Sequence, residues 1–283
     1  MTAAAAEPAP APTVEAPKVN GAKAMEYVRQ VVAFGPRPIG SEGHKKLQAY
    51  IREHLKNDDL EEDKFSAETP DGKFDMINFI AKFPGTKDGV VVIAGHYDTK
   101  IMKGFVGAND GGSSTGLPLE LANVLREHKE GRPTVWIVLL DGEEAVKQWT
   151  DTDSTYGSRH LAQKWQQEGV LPKIKAFLLL DMVGDADLDI QRDTNSTSWL
   201  EDMIQEAAAK QGYGSNFFAM ETPIEDDHIP FVRLGVPSAD LIDLDYGPNN
   251  SYWHTTKDTL DKLSPKSLEV VGNTVLKVVW NLK

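Results

Sequence analysis

The chain has 283 residues, 40% of them hydrophobic, which is enough for one large core or two modest ones and excludes a small stapled domain. It holds no cysteine, so a disulfide framework, a zinc ribbon and a thiol nucleophile are ruled out, and any metal must be held by His, Asp and Glu. A formal net charge of -13 repels phosphate backbones and anionic lipids, so neither nucleic acid nor a membrane surface is an expected partner, whereas a small cationic substrate would be attracted.

The opening MTAAAAEPAPAPTVEAPK lacks a basic stretch followed by a long apolar one, and its Ala/Pro composition cannot bury a core. Met1 to Lys18 therefore reads as a disordered linker. Linkers of this kind follow removed export signals, so a periplasmic or secreted protein is expected although no export signal stands in this chain. From about Ala22 the pattern turns helical in AMEYVRQVVAF, and Ser41 is placed to N-cap EGHKKLQAYIREHLK, whose apolar positions fall on one face. Runs that read as strands follow: FDMINFIAKF, VVVIAGHY, TVWIVLLD, IKAFLLLDMVG and VPSADLI. Helical patterns lie between and after them, at Leu117 to Arg126, Thr155 to Gln166, Ser198 to Gln211 and, after the start signal of Ser264 and Pro265, Leu268 to Leu282.

Apolar runs of this type suit strands buried on both faces, and their alternation with helices predicts a three-layer α/β sandwich: a central mixed, mostly parallel β-sheet flanked by helices. No internal repeat and no second linker interrupts the pattern, so residues 19–283 form one expected domain. No apolar run is long enough to span a bilayer, so no membrane insertion is expected, and a monomer is the expected state.

In such a sheet the loops leaving the carboxyl ends of the strands converge on one edge and form the ligand site. Three strand runs end in imidazole or acidic groups: His96 and Asp98; Asp141, Glu143 and Glu144; Asp181 and Asp185. Each has a bland explanation as a turn residue. Together with Asp110 and His254, which also lie in turn-like contexts after apolar strands, they make a mixed imidazole and carboxylate set of the kind that suits zinc. Of the adjacent glutamates, one can bind metal while its neighbour stays free as a general acid or base.

The segments HYDTK, FVGAND, DGEEA, LLLDMVG and WHTTKDT, with GPRPIGSEG near the start, resemble the zinc aminopeptidase superfamily with two-metal sites. Within it the chain is most similar to the glutaminyl cyclases, through GANDGGSSTGLPLELANVL, DGEEAVKQWTDTDSTYGSRHLAQKW, IEDDHIPFVRLGVP and WHTTKDTL. The most specific feature is an insertion holding Trp149, which separates the Glu-Glu pair from Tyr156, Gly157 and Ser158. The resemblance implies an aminoacyltransferase that converts N-terminal glutamine of peptides to pyroglutamate and releases ammonia. It implies Asp110, Glu144 and His254 as zinc ligands and Glu143 as the proton-transfer group. Asp181 and Asp226 would complete an acidic hydrogen-bond network, and Trp149, Glu225 and Trp253 would lie at the substrate pocket. One zinc is implied; His96 and Asp181 stand where aminopeptidases hold a second. The chain departs from the animal cyclases in lacking a cysteine pair, as a bacterial form would, in carrying Asp240 where a histidine is expected, and in a longer loop before Trp253. A two-zinc aminopeptidase and a catalytically inactive binding module remain the alternatives at this stage.

Overall fold

The computed structural model describes residues 14–283. Residues 1–13 of the expected linker lie outside the described residues. Within residues 14–18 there is no regular secondary structure, yet Ala16 packs against the main core and Lys18 Nζ donates to Gln211 Oε1 at 2.8 Å. Two capped helices then open the domain. Asn20 accepts from Lys23 N at the start of α1 (Gly21–Ala33), and Ser41 Oγ accepts from His44 N at the start of α2 (Glu42–Leu55), as its sequence position predicts.

A long hairpin follows, β1 (Asp59–Thr69) with β2 (Gly72–Phe83). The chain then alternates through β3 (Lys87–His96), α3 (Gly112–Glu127), β4 (Pro133–Leu140), α4 (Tyr156–Gln167) and β5 (Ile174–Asp181). After these come β6 (Ile190–Asp193), α5 (Ser198–Lys210), β7 (Phe217–Thr222), the short α6 (Ile229–Arg233), β8 (Ser238–Ile242) and α7 (Pro265–Asn281). The main sheet runs β1-β2-β4-β3-β5-β8, with β4, β3, β5 and β8 parallel and the β1 and β2 edge antiparallel; β6 and β7 pair in a small separate sheet. This is the expected mixed, mostly parallel sheet. β1 was not among the expected strands, because its sequence DLEEDKFSAET hides the alternation under charge. It is an edge strand, where exposed charge blocks further pairing.

The central strands are buried on both faces. Val91 and Ile93 of β3 join a core with α1, α3, α5 and α7, while Val92 and Ala94 join a second core with Leu161 and Trp165 of α4 and Phe231 of α6. These two cores are the interfaces between three layers. The helix after β3 packs on one face and the helix after β4 on the other, so the loops leaving these neighbouring strands part and leave a crevice at their carboxyl ends. α3 begins at Gly112, a turn and a half before its expected start, because GSSTG carries no apolar periodicity. Pro118 inside α3 cannot donate to the Ser114 carbonyl, which instead lies against β3. A Cβ on Gly95 would stand 2.1 Å from that oxygen, so only glycine allows the approach. Among the described residues no helix is long and apolar enough to cross a membrane.

Candidate active site

The crevice collects most of the side chains singled out after the strands, but Asp141 is bonded to His44 and Ile77 N, and Asp185 lines a separate hollow with Asp187 and Asp189. His96 ends β3, Asp110 lies just before α3, Glu143 and Glu144 follow β4, and Asp181 ends β5. Asp226 lies between β7 and α6, and His254 in the long connection from β8 to α7. All but His254 are buried, and His254 keeps its side chain 24% exposed. Its backbone is left-handed at φ 49°, as is that of Met182 next to Asp181 at φ 48°; such strain in non-glycine residues gathers at functional sites.

Two trios of ligand-type atoms share Asp110: Asp110, Glu144 and His254, and His96, Asp110 and Asp181. In the first, His254 Nε2 stands 3.2 Å from Asp110 Oδ2 and 3.3 Å from Glu144 Oε1. Both oxygens are buried without a hydrogen-bond partner, which is costly unless a cation completes the site. An imidazole and two carboxylates converging on one point are a donor set that fits zinc. In the second trio, His96 Nε2 lies 3.0 Å from Asp181 Oδ1, which also accepts from Ser114 Oγ at 2.7 Å, and 3.3 Å from Asp110 Oδ1. In that trio the His96–Asp181 pair is hydrogen-bonded, while His96 Nδ1 is buried without a partner.

Charge follows the same division. Burial would lower the His96 imidazole, but Asp181, Asp110 and Asp98 together raise it well above the ordinary value, so it is held as a cation. For His254 burial is likewise outweighed, by Asp110 and Glu144, and its value rises to about 9. Glu143 is pushed well above the usual carboxylate range by burial, and the charges of Asp226, Glu144 and Asp227 push in the same direction. Asp226 is raised by burial and then by Asp181 and Asp227. Asp181 itself is engaged with His96 and Ser114, so it meets Asp226 through charge. Asp240 lies deeper, fully buried, with both carboxylate oxygens unbonded and His228 Nδ1 at 3.9 Å.

The first trio opens into a cavity of about 340 Å³ lined by the nine residues expected as zinc ligands, proton carrier, acidic network and pocket wall, whereas His96 does not line it. Asp110, Glu143, Glu144 and His254 meet there with Asp181 and Asp226, while Trp149, Trp253 and Glu225 complete the wall. The ring of Trp253 stacks on His254 at 4.2 Å between centroids, and Phe105 meets the same imidazole edge-on at 6.2 Å. Trp149 and Trp253 are each 40% exposed, as rings at a rim are, and Glu225 is exposed.

The insertion carrying Trp149 is built around one carboxylate. Asp153 accepts from the backbone N–H groups of Val146, Lys147 and Gln148 at 2.8 to 3.0 Å, and from Tyr156 Oη at 2.7 Å. At the base of the loop Thr155 N donates to Glu143 O and Tyr156 N to Gly142 O, closing its two ends on each other.

Several contributors were not assigned roles from the sequence. Asp98 accepts from Glu143 N at 3.1 Å and Glu144 N at 3.4 Å and so aims the glutamate pair. Asp258 accepts from Asn109 N and Asp110 N, at 2.8 and 3.1 Å, and from Tyr246 Oη, fixing the shared aspartate. Buried Arg37 donates to Val106 O and Gly107 O and clips the preceding turn to GPRP. Lys100 lines the cavity with Nζ 3.3 Å from Glu144 Oε2. Asp98 and Lys100 lie in HYDTK, Asp258 in WHTTKDT and Arg37 in GPRPIGSEG, so a motif marked each segment while its bond partners, distant in sequence, stayed hidden.

The model of peptidase family M28 matches residues 78–279. A glutaminyl-peptide cyclotransferase of Drosophila melanogaster is 34% identical over 252 residues, covering 79% of this chain and 70% of the fly protein. Among solved structures, the glutaminyl cyclase of an Acidobacteriales bacterium is 48% identical, with a TM-score of 0.92 over 97% of this chain and 98% of that one. The glutaminyl cyclase of Porphyromonas gingivalis is 29% identical, with a TM-score of 0.84 over 92% and 98%. With a catalytic-type site at the switch point and this likeness along nearly its whole length, the chain belongs to peptidase family M28 and, within it, to the glutaminyl-peptide cyclotransferases.

Proposed function

We propose that the enzyme converts the N-terminal glutamine of peptides to pyroglutamate with release of ammonia, in the cavity bounded by Asp110, Glu144, His254 and the two rim tryptophans. The observation that carries this reading is the buried Glu143 carboxyl, free of any side-chain hydrogen bond, beside a ligand trio with unsatisfied oxygens and inside a small aromatic chamber. The α-amine nitrogen attacks the side-chain carbonyl carbon of the same residue, a carbon–nitrogen bond forms, and the bond to the amide nitrogen breaks. Glu143 accepts the proton from the attacking amine and returns it to the departing nitrogen. A Zn2+ held by Asp110, Glu144 and His254 would supply Lewis-acid polarisation of that carbonyl. Glu143 needs the proton to be exchangeable, and a cation at the trio opposes the rise that burial imposes on its carboxyl.

Trp149 and Trp253 hold the glutamine folded, amine against carbonyl, and keep water from competing. Asp226 orients the α-amine, with Asp181 beside it in charge, and Glu225 closes the rim. Residues 19–283 act as one catalytic domain, and peptides with N-terminal glutamine are the substrates. A periplasmic or secreted location and a monomeric state complete the reading.

A two-zinc aminopeptidase is the second reading, favoured by the trio of His96, Asp110 and Asp181. The two hydrogen bonds already made by Asp181 Oδ1, to His96 and to Ser114, support a single zinc. Mass spectrometry of a peptide with N-terminal glutamine decides between them: loss of one ammonia with the chain intact, abolished by a zinc chelator, is expected. Free glutamine and a shortened peptide would replace the cyclase by the aminopeptidase.

A further inference from the structure

The chamber does not end at its rim. A second hollow of about 450 Å³ shares Trp149, Glu225 and Asp226 with it as common walls, and Thr150, Arg159 and Arg233 line the hollow alone. An enzyme that acts on the first residue of a peptide must let the following residues leave the chamber, and an extended chain advances about 3.3–3.6 Å per residue. The hollow is continuous with the mouth, and its volume lies in the range of ligand pockets.

The two arginines differ in what they have left to offer. Arg159 donates to Ser154 O through Nε and Nη2, at 3.1 and 2.9 Å, and lies over the Tyr156 ring, so it serves the Trp149 loop. Arg233 is 59% exposed, and its nearest acceptors, Glu225 Oε2 at 3.6 Å and Asp151 Oδ1 at 3.7 Å, are beyond hydrogen-bond length. The two carboxylates keep the guanidinium beside the hollow without consuming its donors. Ile229 and Pro230 of the same helix add apolar surface next to it.

We infer that this hollow is the subsite for the peptide chain beyond the glutamine, with Arg233 donating to a main-chain carbonyl of the second or third residue. The inference rests on the cyclase reading. Its ligand class is a peptide of at least three residues, recognised through its backbone, so the nature of the second side chain matters less than the presence of a chain.

Two substrates test it, glutaminamide, which fills only the chamber, and the amide of Gln-Ala-Ala, which reaches the hollow. In the wild-type enzyme kcat/KM for the tripeptide should exceed that for glutaminamide by roughly tenfold, the scale of one charge-assisted hydrogen bond. Arg233→Ala should remove most of that advantage and leave glutaminamide turnover within about twofold, which also reports that the variant is folded. An equal rate on both substrates in the wild type, or an equal loss on both in the variant, overturns the subsite. Absence of pyroglutamate product from both substrates in the wild type overturns the cyclase reading and the subsite with it.

Discussion

The two trios that meet at Asp110 are built from the same residue types and lie a few ångströms apart, yet they present opposite faces to chemistry. In His96, Asp110 and Asp181 the carboxylate oxygen of Asp181 is bonded both to His96 and to Ser114, and Asp181, Asp110 and Asp98 raise the imidazole well above its ordinary value. Asp110, Glu144 and His254 leave two buried oxygens without partners and face a cavity. Ligand types at ligand spacing are therefore insufficient to define a metal site. What distinguishes the two is whether the carboxylate oxygen facing the imidazole is already bonded: Asp181 Oδ1 is, whereas Asp110 Oδ2 and Glu144 Oε1 are not.

The largest effect that would sharpen this contrast is expected from Glu144→Ala, which should abolish both zinc binding and cyclisation; a variant that keeps stoichiometric zinc by elemental analysis would break it. Next in size is Glu143→Gln. Activity should fall roughly 100- to 10,000-fold, the usual worth of positioned proton transfer, with zinc content unchanged. Equal loss of metal would move Glu143 from proton carrier to ligand.

His96→Asn probes the other trio. It removes the cation facing Asp181, Asp110 and Asp98 and should lower folding stability by about 3–5 kcal/mol in denaturant titration, as breaking a buried pair does, while zinc stays at one per chain. A drop from two zincs to one on that substitution would show that His96 holds metal.

A pH comparison is subtler. In zinc-free protein the His254 value of about 9 lies above the ordinary 6.5, so its pairing with Asp110 and Glu144 contributes fully below pH 6.5 and is lost as pH rises through 9. Zinc needs the imidazole unprotonated, so its own stabilisation grows over the same window. The gap in Tm between zinc-loaded and chelator-treated protein should widen from pH 6.5 to 9; a constant gap would remove His254 from the ligand set. The smallest effect belongs to Asp153→Ala, where loosening the Trp149 loop should raise KM roughly three- to tenfold, about one hydrogen bond's net worth, with little change in kcat. A fall in kcat alone would separate the loop from substrate binding.

Much of this was readable from residues. Strands buried on both faces advertise themselves as apolar runs, and Ser41 and Ser264 with Pro265 mark helix starts that the structure keeps. The nine expected site residues line one cavity because each follows a strand or sits in a quoted motif. What stayed hidden depends on partners far along the chain. β1 is recognisable only beside β2, since its charge masks the alternation. Asp258 acts on Asp110 across nearly 150 positions, through backbone N–H groups that no motif displays. The second hydrogen bond of Asp181 Oδ1 needed Ser114 in place, and Ser114 belongs to a helical turn without apolar periodicity.

The Trp149 loop is held from within and from below. Its ends are clasped at Glu143 with Thr155 and Gly142 with Tyr156, its interior hangs on Asp153, and it is anchored to the β1–β2 hairpin where Val146 packs with Met76 and Lys147 pairs with Asp71 at 2.7 Å. Such a segment takes its shape from its own bonds and its position from the hairpin beneath it, so the rim of the chamber is shared by two separate stretches of chain.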